Sequence, residues 1–558
     1  MARTGIDDEE ARSLSRYTAN SSGSQQKLNA KPTDSSGGIG WLEASSPTSP
    51  KIPARTWSVL DFGAIGDGSK DNTAEINRAI QVCAEEGGGQ VIIPPGIWKT
   101  GPLQLRSGID LHVEGGALVL FSKKFEDYPL IPSNFEGEDM VRCQSPIYGN
   151  YLYNIAITGS GIFDGGGGAW RPVKRIKTTV RQWKALIASG GVVSQDGAVW
   201  WPTEDAMRGA ELLGKLGSAK TSDLKVFEPI RPFLRPSLLS LRNCRSILLD
   251  GPTFQNSAAW CLHPWGCVDI TIRNITVRNP WFAQNGDGID LDSCQNVLIE
   301  DSSFDVGDDA ICVKSGKNES GRKLNMPSER IVVRRCVVYH GHGGFVIGSE
   351  MSGGVRKVHV SDCTFIGTDI GLRLKSQRGR GGVVEDVVLE RIRMSEIQNE
   401  AISLDMFYDA PHTGNLDEPE VNGVPDATTP IFRDIHVRDI ICVGARTAVL
   451  IRGLPEQPIQ DLDVERIHVH SDQGMMLQNL TNVRFDGVLL QSVSEPTILL
   501  DQVQNVIFAA TKLDCEDPSV KVVGERTRNV HCANVTGIQR SSRVRMDIEW
   551  NVSKNEIQ

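Results

Sequence analysis

One strand-like pattern returns along the whole chain, and its recurrence limits the possible folds more than any other feature. It starts at CRSILLDGPTF (244–254) and continues as CVDITIRNITV (267–277), CQNVLIEDSSF (294–304), SERIVVRRCVV (328–338), VRKVHVSDCTF (355–365), VEDVVLERIRM (384–394) and FRDIHVRDIIC (432–442). Weaker copies follow at 459–469, 480–490, 503–513 and 527–537, with earlier echoes at Ile109 and Ile155. Most intervals are about 21 to 34 residues, with a larger insertion before Phe432. Several short strands per repeat, no helical period, and Gly or Asn at the corners predict an all-β parallel β-helix. Each coil of such a solenoid buries its apolar face only against its neighbours, so stability accumulates along the stack.

A second pattern runs between the copies of the first: AWCLHP (259–264), GIDLDS (288–293), AICVKS (310–315), GFVIGS (344–349), GLRLKS (371–376) and AISLDM (401–406). Its alternation is that of a strand with one buried face. Superposed, the copies put Asp287 and Asp309 in one slot before the strand, and Asp308 and His342 in the slot before that. Neighbouring coils lie roughly 4.8 Å apart, so four ionisable groups share one small patch. Ile289, Leu291, Ile311, Val313, Leu372 and Leu374 are expected to point inward. Two outward columns result: Cys261, Asp290, Cys312, Val346, Arg373, Ser403, and His263, Asp292, Lys314, Gly348, Lys375, Asp405.

Three close carboxylates cannot all stay ionised cheaply, so one pKa should rise. A raised carboxyl can protonate a glycosidic oxygen while its ionised neighbours activate water. Arg373 and Lys375 face outward on the same sheet, where a sugar carboxylate could meet the planar fork of one and the point charge of the other. With Arg378 and Arg380 they form a basic cluster inside a chain whose formal net charge is −10. That overall charge argues against a nucleic-acid partner. Carboxylates alone would equally suit a Ca²⁺ site or a solvated acidic ladder.

The rest of the chain serves the solenoid. No apolar run approaches ~18 residues, so no membrane-spanning helix is expected. Residues 1–53, rich in Ser and Gly, read as disordered, residues 54–545 as one β-helix domain, and 546–558 as a tail. The first residues lack the apolar core of a secretory signal, which leaves the compartment open. Residues 73–86 have helical spacing with Thr73 as a plausible N-cap, a natural lid for the open end of the solenoid. Residues 166–236 break the repeat, look helical in part, and are long enough to wall off one end of a groove. Cys244, Cys267, Cys294, Cys336, Cys363 and Cys532 occupy aliphatic slots and are expected to act as small buried hydrophobes. No CxxC pair suggests zinc.

The ordered motifs Asn285-Gly286-Asp287, Gly307-Asp308-Asp309, Gly341-His342-Gly343 and Arg373-Leu374-Lys375 resemble those of family 28 glycoside hydrolases, the polygalacturonase family. The resemblance covers roughly residues 55–540. It implies a right-handed parallel β-helix that hydrolyses α-1,4-galacturonic linkages in pectin with inversion, without metal or cofactor. Carried over, Asp308 would be the general acid, Asp287 and Asp309 would position water, and His342 would tune the acid. Asn285, Arg373, Lys375 and Tyr408 would bind substrate. Gly286 departs from the Thr usual there. The insertion and residues 137–148 resemble exo-acting members, whose grooves are closed into pockets. A Ca²⁺-dependent lyase on the same fold, a rhamnogalacturonan hydrolase and a non-catalytic glycan-binding solenoid are the alternatives.

Overall fold

Alternating aliphatic and polar residues divide each coil into three short strands, and each strand pairs in parallel with its counterpart one coil on. The result is a right-handed parallel β-helix. The computed structural model describes residues 39–42, 46–216, 223–408, 423–532, 534–537 and 545–548. Most of the segment expected to be disordered, and most of the expected tail, fall outside these residues. Ile39–Trp41 form a single 3₁₀ turn, and Arg545–Ile548 pair with Ser519–Val523 as the final strand.

The register of the first sequence pattern matches the pairing throughout its length. Ile247 pairs with Ile270, and the column continues through Val297, Ile331, Val358, Val387 and Ile435 to Val530. Phe163, Phe254, Phe304 and Phe365 sit fully buried in the third ladder, with Phe163 and Phe254 stacked at 5.4 Å. All twelve cysteines are free, and five of the six aliphatic-slot thiols are buried, Cys532 being half-buried. Cys267 and Cys294 donate their S–H to the carbonyls of Leu241 and Pro264, so each satisfies a corner carbonyl while filling the core.

Corners need left-handed backbone, and one corner slot shows how the sequence meets that need. Asn274, Asp301, Arg335, Asp362, Arg391, Asp439 and Arg466 all have φ between 50° and 58°. Asn and Asp tolerate this region well and Arg does not. The arginines pair with the aspartates one coil back: Arg335 with Asp301, Arg391 with Asp362 and Arg466 with Asp439, at 2.7–2.8 Å. These pairs are half-exposed and contribute at most about 1 kcal/mol each.

The lid helix α1 spans Thr73–Glu85 and buries Ile76, Ala79, Ile80 and Cys83 against the first coils. Its cap differs from expectation. Thr73 is the first helical residue, Asn72 stands at the N-cap, and Asp71 accepts the Thr73 N–H at 2.9 Å. The Asn72 side chain turns inward instead, taking the Ile65 N–H and donating to the Ile65 and Lys70 carbonyls. Tertiary hydrogen bonding thus displaced the local capping signal.

The insertion folds into α2 (Val180–Ala188), α3 (Glu204–Leu216), a three-stranded antiparallel sheet and a 3₁₀ run over Leu224–Phe233. Thr179 and Gln182 close a capping box at α2. Trp170 packs with Tyr128, Phe227 and Ile230, which joins the insertion to a hairpin formed by Leu130–Phe135 and Glu138–Cys143. Trp183 and Trp200 close a second small core with Val173. No helix among the described residues is long and apolar enough to cross a membrane.

Ile299 is fully buried in the middle of the stack. Ile299→Ala is expected to destabilise by about 2–5 kcal/mol. A lowered urea midpoint at unchanged m-value would show this; an unchanged midpoint would mean that the column does not carry the stability.

Candidate active site

Five strands on one face carry the site: β1 (Leu262–Trp265), β2 (Ile289–Asp292), β3 (Asp309–Lys314), β4 (Gly343–Ile347) and β5 (Leu372–Lys375). Ile289 pairs with Ile311, which sets Asp287 beside Asp309. Asp309 pairs with Gly343, which sets Asp308 beside His342. One carboxylate oxygen from each of Asp287, Asp308 and Asp309 lies within 4.8 Å of the others. The two slots read from the sequence are therefore real neighbours.

The turn before β2 is held from several sides. Asn285 has φ 50°, and its side-chain oxygen accepts from Arg235 at 2.8 Å. Arg235, from the end of the insertion, also donates to the carbonyls of Ala258 and Gln284. Asn279 donates to the carbonyls of Gly286 and Asp287. Gly286 has a steric reason: a Cβ there would lie 2.6 Å from the Cβ of Ala283.

Opposite charges hold the cluster together. Lys375 Nζ donates to Asp309 Oδ2 at 2.7 Å, and Arg373 Nη1 lies 3.9 Å from Asp309 Oδ1. His342 Nδ1 is 3.1 Å from Asp308 Oδ1, and the Asp309 N–H donates to the same oxygen at 3.0 Å. The other nitrogen of His342 meets Lys177 Nζ at 3.3 Å and Asp369 at 3.7 Å. Both Arg373 and Lys375 lie over the Tyr408 ring, at 5.5 and 4.9 Å. All eight candidate residues thus gather in one place.

The rise in pKa falls on a different carboxyl from the one expected. Burial, followed by the charges of Asp290, Asp308 and Asp309, pushes Asp287 well above the ordinary aspartate range. Asp308 moves down instead: burial raises it, but the hydrogen bond and charge of His342, with Lys375, outweigh that. Asp309 is also lowered, the Lys375 charge overcoming its burial. His342 rises, because its contact with Asp308 outweighs burial. Of the three, Asp287 is therefore the carboxyl that holds a proton most readily, lacking the close cationic partner that Asp308 has in His342 and Asp309 in Lys375.

The outward columns need one correction. Leu262 pairs with Ile289 and Trp265 with Asp292, so β1 sits two residues away from its expected register. His263 belongs beside Asp290, and Cys261 lies in the core. A two-residue slip preserves the in–out alternation, so periodicity could not detect it. Nor are these columns open to solvent. Asp290, Asp292, Lys314 and Lys375 are buried under loops, and Lys314 pairs with Glu350 at 3.0 Å and Asp290 at 3.6 Å. Burial raises Asp290 well above its ordinary value.

A cavity of about 280 Å³ opens over the three aspartates, walled by Trp260, Lys314, Glu350, Lys317, Arg380 and Glu136. The tip of the 130–143 hairpin closes it, the Lys317 N–H donating to the Gly137 carbonyl at 3.3 Å. A second cavity of about 740 Å³ adjoins on the far side of His342, lined by Lys177, Trp281 and Asp369. Glu136, Glu350, Lys177 and Arg235 escaped the sequence reading, since they come from loops or the insertion and share no repeat slot, and Trp260 escaped it because its copy of the repeat was read two residues out of register. Arg378 leaves the basic cluster to pair with Glu456 at 2.6 Å.

The elevated Asp287 pKa has a defined sign for stability. The folded state keeps a proton that the unfolded chain releases near pH 3.9. Stability is full below that pH and is lost as pH rises through the elevated folded value. Asp287→Asn removes the loss, so its melting temperature should exceed that of the parent by a margin that widens from pH 4 to pH 8. A margin independent of pH would contradict the proton on Asp287.

Comparison with known proteins bears on the family and the fold. The model of glycosyl hydrolases family 28 matches residues 231–484. A probable polygalacturonase of Vitis vinifera is 29% identical over 438 residues, covering 77% of this chain and 77% of its own length. An exo-poly-alpha-D-galacturonosidase of Dickeya chrysanthemi is 27% identical, covering 71% of this chain and 64% of its own length. The crystal structure of a hyperthermoactive exopolygalacturonase from Thermotoga maritima superposes with a TM-score of 0.63 at 30% identity, covering 87% of this chain and 95% of that one.

Proposed function

The chain belongs to family 28 of the glycosyl hydrolases, and from that premise we propose that it removes galacturonate from the end of α-1,4-linked polygalacturonate. The observation that carries this reading is three aspartates in register, beside Arg373 and Lys375, at the floor of a cavity closed by a hairpin. Hydrolysis of polygalacturonate fits the relatives reported above, and exo action fits the closed cavity.

Asp308 suits the role of acid because it is the most accessible of the three, its side chain 22% exposed against 2% for Asp309. Its proton comes from the cluster. A uronate carboxylate that pairs with Lys375 offsets that lysine's share of the field holding Asp308 ionised, the His342 share remaining, and the sugar excludes water, so the Asp308 pKa climbs toward that of Asp287. The proton then passes to Asp308, and Asp287 becomes an anion beside Asp309. Asp308 gives the proton to the glycosidic oxygen as the C1–O bond breaks. Water attacks C1 and yields its proton to the Asp287–Asp309 pair. His342 positions Asp308 and sets its charge between turnovers.

Inversion rests on the family resemblance. The carboxylate oxygens, within 4.8 Å, are closer than the ~6.5–9.5 Å usual for inversion. The trio could geometrically hold a cation. Lys375 already supplies positive charge 2.7 Å from Asp309, which favours hydrolysis over a Ca²⁺-dependent elimination.

Chromatography of products from polygalacturonate over time tests the proposal. Free galacturonate from the first time point, no ultraviolet absorbance of an unsaturated sugar, and indifference to chelator are expected. A ladder of oligomers would overturn exo action. Unsaturated product abolished by chelator would establish a lyase, and binding without turnover a glycan-binding solenoid.

A further inference from the structure

With Arg373 and Lys375 assigned to one uronate, the cavity still holds a buried cation without a carboxylate. Arg380 is 5% exposed. Its Nη1 donates to the Asn318 side-chain oxygen at 2.7 Å and its Nη2 reaches Ser349 Oγ at 3.4 Å, both neutral acceptors. Its Nε is buried with no hydrogen-bond partner. No ion pair of Arg380 occurs within 4.0 Å among the described residues, whereas Arg378, two positions earlier, is paired with Glu456. Burying a guanidinium without an opposing charge is costly, and a fold that keeps one at a cavity wall is prepared for an anion.

The surroundings indicate which anion. Lys317 adjoins Asn318 on the same wall, and among the described residues its only ion pair is a long one, 3.9 Å to Glu138. The acidic groups of that wall are Glu136 at the hairpin tip and Glu350, and Glu350 is already bound by Lys314. Arg380 and Lys375 both line the cavity over the aspartates, so an anion at Arg380 would belong to the sugar next to the one held by Lys375 and its neighbour Arg373.

Resting on the galacturonan reading, we propose that Arg380, assisted by Lys317, binds the carboxylate of a second galacturonate. The enzyme then requires a uronate on both sides of the bond it cleaves. A neutral sugar such as rhamnose on the Arg380 side would cover the guanidinium without compensating it, a stronger rejection than shape alone supplies.

Digalacturonate and its two mono-methyl esters, each with one carboxylate blocked, separate the possibilities. The parent enzyme should cleave the diacid and lose activity on both esters. Arg380→Gln should lose about 10- to 100-fold in kcat/KM on the diacid. It should show little further loss on the one ester whose blocked carboxylate faces position 380, and the full further loss on the other. Arg380→Lys should recover part of the activity, and Lys317→Met, a more exposed position, should show the same ester pattern at smaller amplitude. An equal penalty for Arg380→Gln on all three substrates, or efficient parental cleavage of a rhamnosyl–galacturonate bond, would overturn the proposal while leaving uronide hydrolysis standing. Failure of the parent to cleave the diacid would remove the galacturonan reading and this inference together.

Discussion

Parallel, in-register stacking of coils governs this molecule. Each strand must lie on its counterpart at the fixed hydrogen-bonding distance, so a residue type repeated in one slot becomes a column. Aliphatic columns make the core, and left-handed slots collect Asn, Asp and paired Arg. In the slots at the starts of β2 and β3 the same rule brings three carboxylates within 4.8 Å, closer than they would sit by choice in water. The solenoid is rigid enough to keep them there.

That enforced crowding is what makes chemistry possible. The cations are distributed unevenly: Asp309 has Lys375, Asp308 has His342, and Asp287 has neither. The cluster therefore holds a proton most readily on Asp287, the carboxyl with the least compensation. Substrate redistributes the charge rather than creating it. A uronate that pairs with Lys375 weakens that lysine's field on Asp308, and with water excluded the proposed proton shift runs to the group that faces the sugar. Recognition of an acidic sugar and readiness to protonate its glycosidic oxygen are thus the same electrostatic event.

Repeat periodicity made the solenoid, the inward faces and six of the eight candidate residues legible, because each follows from counting along a column; Asn285 and Tyr408 came from the family resemblance. Three features were not. The register of β1 slipped by two residues, since its alternation is unchanged by such a shift and His263 looks equally at home opposite Asp290 or Asp292. One carboxyl was expected to rise and the resemblance made Asp308 the acid, whereas the rise falls on Asp287, a matter of which carboxyl each cation reaches, which spacing along the chain does not encode. Glu350, Lys177 and Arg235 come from loops and the insertion, where no repeat predicts position. Gly286 shows the reverse case: an apparent departure in a motif becomes understandable only when Ala283 is seen against it.

Calorimetric binding of digalacturonate to Asp308→Asn, alongside its turnover, tests the division of labour between the aspartates and the cations most directly. Turnover should fall by about 10²- to 10⁴-fold, the share a general acid contributes, while affinity stays within about threefold because Arg373 and Lys375 still hold the uronate. Retained turnover, or affinity lost in proportion to rate, would contradict a cluster in which Asp308 moves the proton and its neighbours hold the sugar.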